Sequence, residues 1–523
     1  MKYKVYTQLF LYASCLFIMA TSCASKEKKE NTTNTTQTEY EQPNILFFVA
    51  DDASMKSFGA YGSKYIKTPA IDALAKEGAT FTNAYNCNPK CAPARACLLT
   101  GKYSWQLKEA TNHNPYFPEE FKFYPELLGQ QAGYFTGFTG KGWGPGLYKG
   151  KHNPAGPEFN KHEKKPPFKG ISKNDYAANF ADFLSQKPEG KPFCFWFGVF
   201  EPHRRYELDS WKKTSKQLAD ADVPPFYPDN ETVRGDLLDY ANEVEWYDTQ
   251  VGRAIKILEE KGLLYNTLIL ISSDHGMPFP RVKGQIYEEG FHVPLIAYWK
   301  GVIQPGRSID DFVNFPDIAP TFMEVAGLKP HEQMTGNSIL ELLKSDKSGQ
   351  IDASRDHVLL GKERHDVGRA DDEGTDLSYP VRAIRNKEFL YVHNIKPERW
   401  PVGNPEYGYL NCDGSPTKEY LTALKPDDKE YHFYEMSFAK RVEEELYNMQ
   451  NDPHCMNNLA LSPEYSDVKQ KLRTQMEKEL IAQGDPRMLG KGNVFDEYPY
   501  FGKRLNYKTG ERYLVPDSEK PNK

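Results

Sequence analysis

Apolar residues fall into a few unbroken runs that each stop at charged or polar residues. NILFFVA at 44–50 ends at Asp51-Asp52, PFCFWFGVF at 192–200 ends at Glu201-Pro202-His203-Arg204, and TLILISS at 267–273 ends at Asp274-His275-Gly276. Runs without polar alternation predict strands buried on both faces, as in a parallel sheet covered by helices. Between them the apolar spacing turns helical. Thr68-Pro69 is an N-cap and first-turn signal for AIDALAKEG. LLGQQAGYFTGFTGK at 127–141 predicts a helix end, a glycine turn and a short strand leading to Lys141, and residues 230–261 form a long amphipathic pattern stopped by Gly262. Another helix is predicted over 315–327. Strand, helix and strand in this order imply an α/β fold with a mainly parallel sheet flanked by helices. A polar stretch around 344–356 marks a boundary, giving a large unit over 43–355 and a smaller α+β unit over 356–523. In the latter, HVLLGKERH, YPVRAIRNKEFLYVHNI and EEELYNMQND predict short antiparallel strands, and residues 464–483 a terminal helix. The last forty residues are aromatic without periodicity, as expected of an extended segment wrapping the body.

The N-terminus follows a different pattern. Lys2 and Lys4 precede an apolar run from Leu9 to Ala20, and small residues lead to Cys23. This predicts a secretion signal over 1–22, too short for a permanent membrane span. The stretch ATSC at 20–23 resembles a bacterial lipobox, with Cys23 as the lipidated residue, and the polar residues up to 42 would be a flexible tether. The expected product is an exported lipoprotein handled by the lipoprotein export machinery. SKEKKE after Cys23 resembles a surface-export tag, so the expected location is the outer membrane facing the exterior, with the periplasmic face as the alternative. Composition narrows the remaining body. With 523 residues, 39% hydrophobic and 13% aromatic, the chain can fill a large interior, which excludes global disorder. A net charge of −6 gives no bulk attraction for nucleic acid, so an anionic substrate would need local basic groups or a metal. Cys194 lies inside an apolar run and is expected to be a buried small hydrophobe. The cluster Cys87, Cys91 and Cys97 is not explained that way.

Three strand ends deliver acids or histidines: Asp51 with Asp52, His203, and Asp274 with His275. In an open α/β sheet, ligands bind beyond the carboxyl ends of the strands. Hard oxygen donors converging there would suit Ca²⁺ or Mg²⁺. Lys141, Arg204 and Lys283 are placed to stabilise negative charge on a transferred group.

The stretch Cys91-Ala92-Pro93-Ala94-Arg95, continuing to Thr100-Gly101-Lys102, resembles the signature of type I sulfatases of the cysteine type, in which C-x-P-x-R directs oxidation of the cysteine to formylglycine. NILFFVADD, Gly140-Lys141, Pro202-His203, SSDHG, YEEGFHVP at 287–294 and ELYNMQNDPHCMNNLA at 445–460 extend the resemblance over about Gln42 to Gln483. Within the family it is strongest to the N-sulfoglucosamine sulfohydrolase branch, through EPHRR, SSDHGMPFP and residues 379–397. Bacterial members of that branch also act on sulfated algal polysaccharides.

The resemblance implies an alkaline-phosphatase-like sulfatase core. It also implies a formylglycine made from Cys91 by a formylglycine-generating or anaerobic sulfatase-maturating enzyme, and one Ca²⁺, ahead of Mg²⁺, held by Asp51, Asp52, Asp274, the modified residue 91 and His275. His275 stands where many members have Asn, which leaves a supporting rather than a ligating role open. One hydroxyl of the hydrated aldehyde would attack sulfur and the other would drive release of sulfate. Arg95 would orient residue 91, Lys141 and Lys283 would hold sulfate oxygens, and His203 would protonate the leaving group. Trp143, following Lys141 where the family often has a histidine, is expected to stack on sugar. Arg204, His365 and Arg385 are candidates for substrate recognition. The expected substrate is a sulfated polysaccharide or its oligosaccharides, with O-sulfate esters of an algal polymer such as ulvan favoured over N-sulfoglucosamine. A phosphohydrolase and an inactive carbohydrate-binding lipoprotein are the lower-ranked alternatives.

Overall fold

A computed structural model describes residues 42–371, 374–516 and 520. The predicted signal over 1–22, Cys23 and the tether lie outside the described residues, apart from residue 42. The strand Asn44–Ala50 lies third in a seven-stranded sheet, with Phe193–Gly198 on one side and Thr267–Ser273 on the other, both parallel to it. Phe135–Gly140 continues the parallel set beyond Phe193–Gly198. Every residue of Asn44–Ala50 is buried, and its side chains alternate between two cores. Ile45, Phe47 and Val49 pack with Leu98, Leu99 and Phe322, while Leu46, Phe48 and Ala50 pack with Phe180, Leu237 and Val251. The apolar runs therefore mark strands covered on both faces.

On the far side the sheet continues through Leu295–Tyr298, Ala79–Phe81 and Arg307–Ile309, with Leu295–Tyr298 antiparallel to both its neighbours. These strands have three or four residues, too few to show a pattern of their own. The long helix spans Glu231–Glu260, with the Asn230 side chain accepting from Val233 N–H and Gly262 in the left-handed region at φ 67°. At Pro69–Lys76 the proline starts the helix as expected, but Thr68 Oγ1 donates to Asp72 instead of capping.

Four antiparallel strands, His357–Lys362, Val381–Asn386, Phe389–Asn394 and Glu444–Asn448, form a second sheet in chain order. The helix Ser466–Ala482 sends Leu472, Met476 and Leu480 into the first core. The tail does wrap the body. Asn112 Nδ2 donates to Phe495 O at 3.1 Å, and Phe501 N–H donates to Asn114 O at 2.8 Å. It is not wholly extended, because Lys503–Leu505 pairs with Arg512–Leu514 as a small hairpin. Residues 41–523 form one compact unit. Among the described residues no helix is long and apolar enough to cross a membrane.

Candidate active site

Parallel strands in register end on the same edge, and here four of them do. Ala50 lies opposite Ser273, Val49 opposite Gly198, and Gly140 opposite Gly198 on its other side. The next residues are Asp51-Asp52, Asp274-His275, the 199–204 turn and Lys141, which the sheet brings to one mouth. Two glycines allow the tightest approach. Gly140 takes φ 72°, and a Cβ there would lie 1.9 Å from Gly198 O; a Cβ on Gly198 would lie 2.0 Å from Lys141 O.

Cys91 enters from the other direction as the first residue of the helix Cys91–Thr100, whose residues are all buried. Its Sγ lies 3.3 Å from His275 Nε2 and 4.0 Å from Asp52 Oδ1. Burial works against the Cys91 thiolate, but Lys141, Lys283 and His275 outweigh it and hold the pKa well below the usual thiol range. Cys87 and Cys97 are set apart from it: both are buried, and their sulfurs are 3.2 Å from each other. Cys194 is buried in its strand, as its apolar surroundings indicated.

Asp51, Cys91, Asp274 and His275 have donor atoms within 4.8 Å of one another. Asp52 joins them with Oδ1 3.0 Å from His275 Nε2. Its backbone is left-handed at φ 78°, held by a 3.0 Å hydrogen bond from Asp52 N–H to Asp274 Oδ1. His275 Nδ1 faces Gly276 O at 3.0 Å. A carbonyl only accepts, so Nδ1 carries a proton, and Nε2 is the ring atom that points into the cluster. Burial disfavours charge on His275, but Asp274 and Asp52 push it up to about 9. Burial raises Asp274, and Asp51 and Cys91 add to the shift. A buried group of carboxylates that draws a proton onto its own histidine has the donors and the surplus negative charge for a hard divalent cation, so the residues fit a metal.

Arg95 is fully buried beneath this cluster. Its Nε donates to Asp274 Oδ2 at 2.9 Å, Nη2 lies 3.3 Å from Asp51 Oδ1, and Nη1 donates to the carbonyls of Lys141 and Gly142. Lys141 Nζ is 2.5 Å from Asp51 Oδ2, and Lys283 Nζ is 2.5 Å from Asp52 Oδ2. For Asp51 burial would raise the pKa, yet Lys141 and Arg95 keep it well below the carboxylate range. Arg95, Lys141 and Lys283 thus offset the charge of Asp51, Asp52 and Asp274.

His203 stands at the mouth with Nε2 4.0 Å from Asp52 Oδ2; its Nδ1 donates to Arg204 O at 2.6 Å. With Asp51, Lys141, Phe200, Glu201 and Arg204 it lines an open cleft of about 650 Å³.

The substrate-recognition candidates fare differently. Trp143 is buried, gives its indole N–H to Ala92 O at 3.1 Å and packs edge-on against Phe117. It buttresses the Cys91 helix and offers no free face to a sugar, which corrects the stacking expectation. Arg385 is bound to Glu288 at 3.0 Å and lies within 6.0 Å of the Tyr85 and Phe312 rings. It is a structural ion pair that does not join the site. Arg204 reaches the cleft wall, but its guanidinium is committed to Asp236 at 2.7 and 2.9 Å and to Pro278 O. His365 is buried, with Nε2 donating to Asn88 Oδ1 at 2.9 Å, and so supports the loop leading to Cys91.

One residue escaped the sequence. Asp413 brings a carboxylate from the C-terminal region to within 2.8 Å of Lys283 Nζ and forms a group with Asp52 and His203. Burial would raise Asp413, but Lys283, Lys90 and His203 lower it well below the usual range. Its Asp-Gly context signals only a turn.

The sulfatase family profile matches residues 43–328. An ulvan-active sulfatase of Formosa agariphila is 30% identical, over 92% of this chain and 88% of that protein. Human N-sulphoglucosamine sulphohydrolase is 28% identical, over 87% and 93%. Among solved structures, a protein in complex with its substrate D-glucosamine-2-N,6-O-disulfate superposes with a TM-score of 0.61 at 21% identity, covering 85% of this chain and 98% of that one. With the profile spanning more than half its length and ending beyond the Asp274-His275 turn, the chain belongs to the sulfatase family.

Proposed function

We propose that this protein is an exported, lipid-anchored sulfatase that hydrolyses O-sulfate esters on saccharides of an algal polymer such as ulvan, using formylglycine at position 91 and one calcium ion. The observation that carries the proposal is the entry of residue 91 into a buried carboxylate cluster beside an open cleft lined by Lys141 and His203. The ulvan-active relative, aligned over nearly the whole chain, supports the substrate choice.

Water replaces the sugar oxygen on sulfur, the S–O bond to the sugar breaks, and the sugar oxygen takes a proton. When residue 91 has been converted by a maturating enzyme, its hydrated aldehyde supplies the oxygen nucleophile. A calcium ion held by Asp51, Asp52, Asp274 and His275 would supply charge neutralisation next to it. The chain's own groups do the rest. Arg95 fixes Asp51 and Asp274, so the donors keep their spacing. Lys141 contacts Asp51 and Lys283 contacts Asp52, each able to exchange a carboxylate contact for a sulfate oxygen. His203, with Nδ1–H anchored on a carbonyl, presents Nε2 to the leaving oxygen. The export signal and the Cys23 anchor follow from the N-terminal sequence and would place this chemistry at the cell surface.

A second reading, removal of N-linked sulfate from glucosamine, is favoured by the human relative. A matched panel of ulvan oligosaccharides and N- and O-sulfated heparan fragments, read by product mass and position, separates the two. Turnover of the ulvan fragments alone is the expected result. Selective N-desulfation would establish the second reading, and release of phosphate but never sulfate would overturn both.

A further inference from the structure

One loop that contributes to the cleft carries charge opposite to that of the chain. Residues 162–175 leave and rejoin the body as a closed loop: Lys164 N–H donates to Lys173 O at 2.7 Å, and Asp175 N–H to His162 O at 2.9 Å. Between these ends the loop bears Lys164, Lys165, Lys169 and Lys173, all exposed. None is in an ion pair among the described residues. The nearby carboxylates have closer partners, Asp175 in Arg253 at 2.7 Å and Glu207 in Lys213, and feel Lys164 and Lys169 only as more distant charges, while Glu163 faces solvent.

The loop is tied to the site. Ser172 N–H donates to Glu201 Oε1 at 2.7 Å and Lys169 N–H to Glu207 Oε2 at 2.9 Å. Gly170 backs onto Arg205 O so closely that a Cβ would lie 2.2 Å from it. Gly170 and Ser172 line the same cleft as Lys141 and His203. Phe200, also in that lining, is 40% exposed, an unusual position for a large aromatic ring and a suitable platform for the apolar face of a pyranose. On a chain of net charge −6, four exposed lysines on the loop that gives Gly170 and Ser172 to the cleft form a local attractive field for a polyanion.

We propose that the 162–175 loop, with Phe200, is a docking rim for the sulfated polysaccharide beyond the reacting sugar, its lysines meeting the sulfate and carboxylate groups of neighbouring units. The proposal rests on the sulfatase reading and deepens it: the protein engages chains, not only isolated sugars.

The test is the quadruple variant K164Q/K165Q/K169Q/K173Q in the mature full chain. KM for sulfated polymer should rise about tenfold at low salt with kcat unchanged, because several weak charge contacts are lost together. On a sulfated disaccharide kcat/KM should stay within about twofold, since the replaced side chains lie outside the reacting centre. Retardation in gels containing ulvan or heparan sulfate, which needs no turnover, should weaken in parallel, and gels containing dextran should show none. Unchanged polymer KM and retardation, or equal losses on polymer and disaccharide, would overturn the proposal. So would equally strong binding to phosphatidylglycerol vesicles that the substitutions abolish. Wild-type protein retarded by sulfated polymer but releasing no sulfate from any saccharide would sink the sulfatase reading and leave the docking rim standing.

Discussion

Replacing Cys91 with serine, in cells whose maturating enzyme converts only cysteine, lowers sulfate release by about 10⁴-fold or more, the scale expected when a covalent nucleophile is removed. The fold should not suffer. Serine is close to cysteine in shape, and residue 91 is the first residue of its helix, after Lys90 at the N-cap. Far-UV circular dichroism and the melting temperature should therefore match the parent while activity disappears. Parent-like sulfate release by the variant would remove residue 91 from the mechanism.

The second large effect falls on stability. Arg95→Ala takes a fully buried guanidinium away from Asp274 and Asp51 and leaves the Gly142 carbonyl without its donor, while Lys141 O keeps the Trp196 indole N–H. Breaking one side of a buried charge network costs about 3–5 kcal/mol, because the remaining charges stay in a poorly solvated interior. Urea unfolding of the metal-free protein should show that loss. Added calcium should recover part of it, since a cation can stand in for the lost positive charge between the carboxylates. Arg95→Lys should fall between the two, keeping the charge but losing the fork that spans both acids. A metal-free R95A protein as stable as the parent would mean that the arginine does not hold the ligands.

What the sequence revealed, and what it hid, follows from the range over which each signal acts. Asn44–Ala50, Phe193–Gly198 and Thr267–Ser273 are buried on both faces, so each wrote an unbroken apolar run into the chain. The acids and histidines at their ends could then be placed at one mouth by the parallel arrangement alone. Leu295–Tyr298 and Ala79–Phe81 left no such trace, because short strands at the sheet's far side take their pairing from neighbours distant in sequence. The outward-reaching residues were least legible. Trp143 and Arg385 looked like recognition groups by residue type, but the structure uses the first as packing for a helix and the second as half of an ion pair. Asp413 shows the opposite failure, a polar turn residue made part of the site only by the folding of the C-terminal region against Lys283.

The most direct test of the account couples chemistry to covalent state. Protein produced with graded amounts of maturating enzyme would be analysed by peptide mass for the fraction of residue 91 present as formylglycine, and each preparation assayed for sulfate release in calcium. The account predicts activity proportional to that fraction, passing through zero when residue 91 is entirely cysteine. Full activity in the unconverted protein, or none in the fully converted, calcium-loaded protein with any sulfated saccharide, would contradict it.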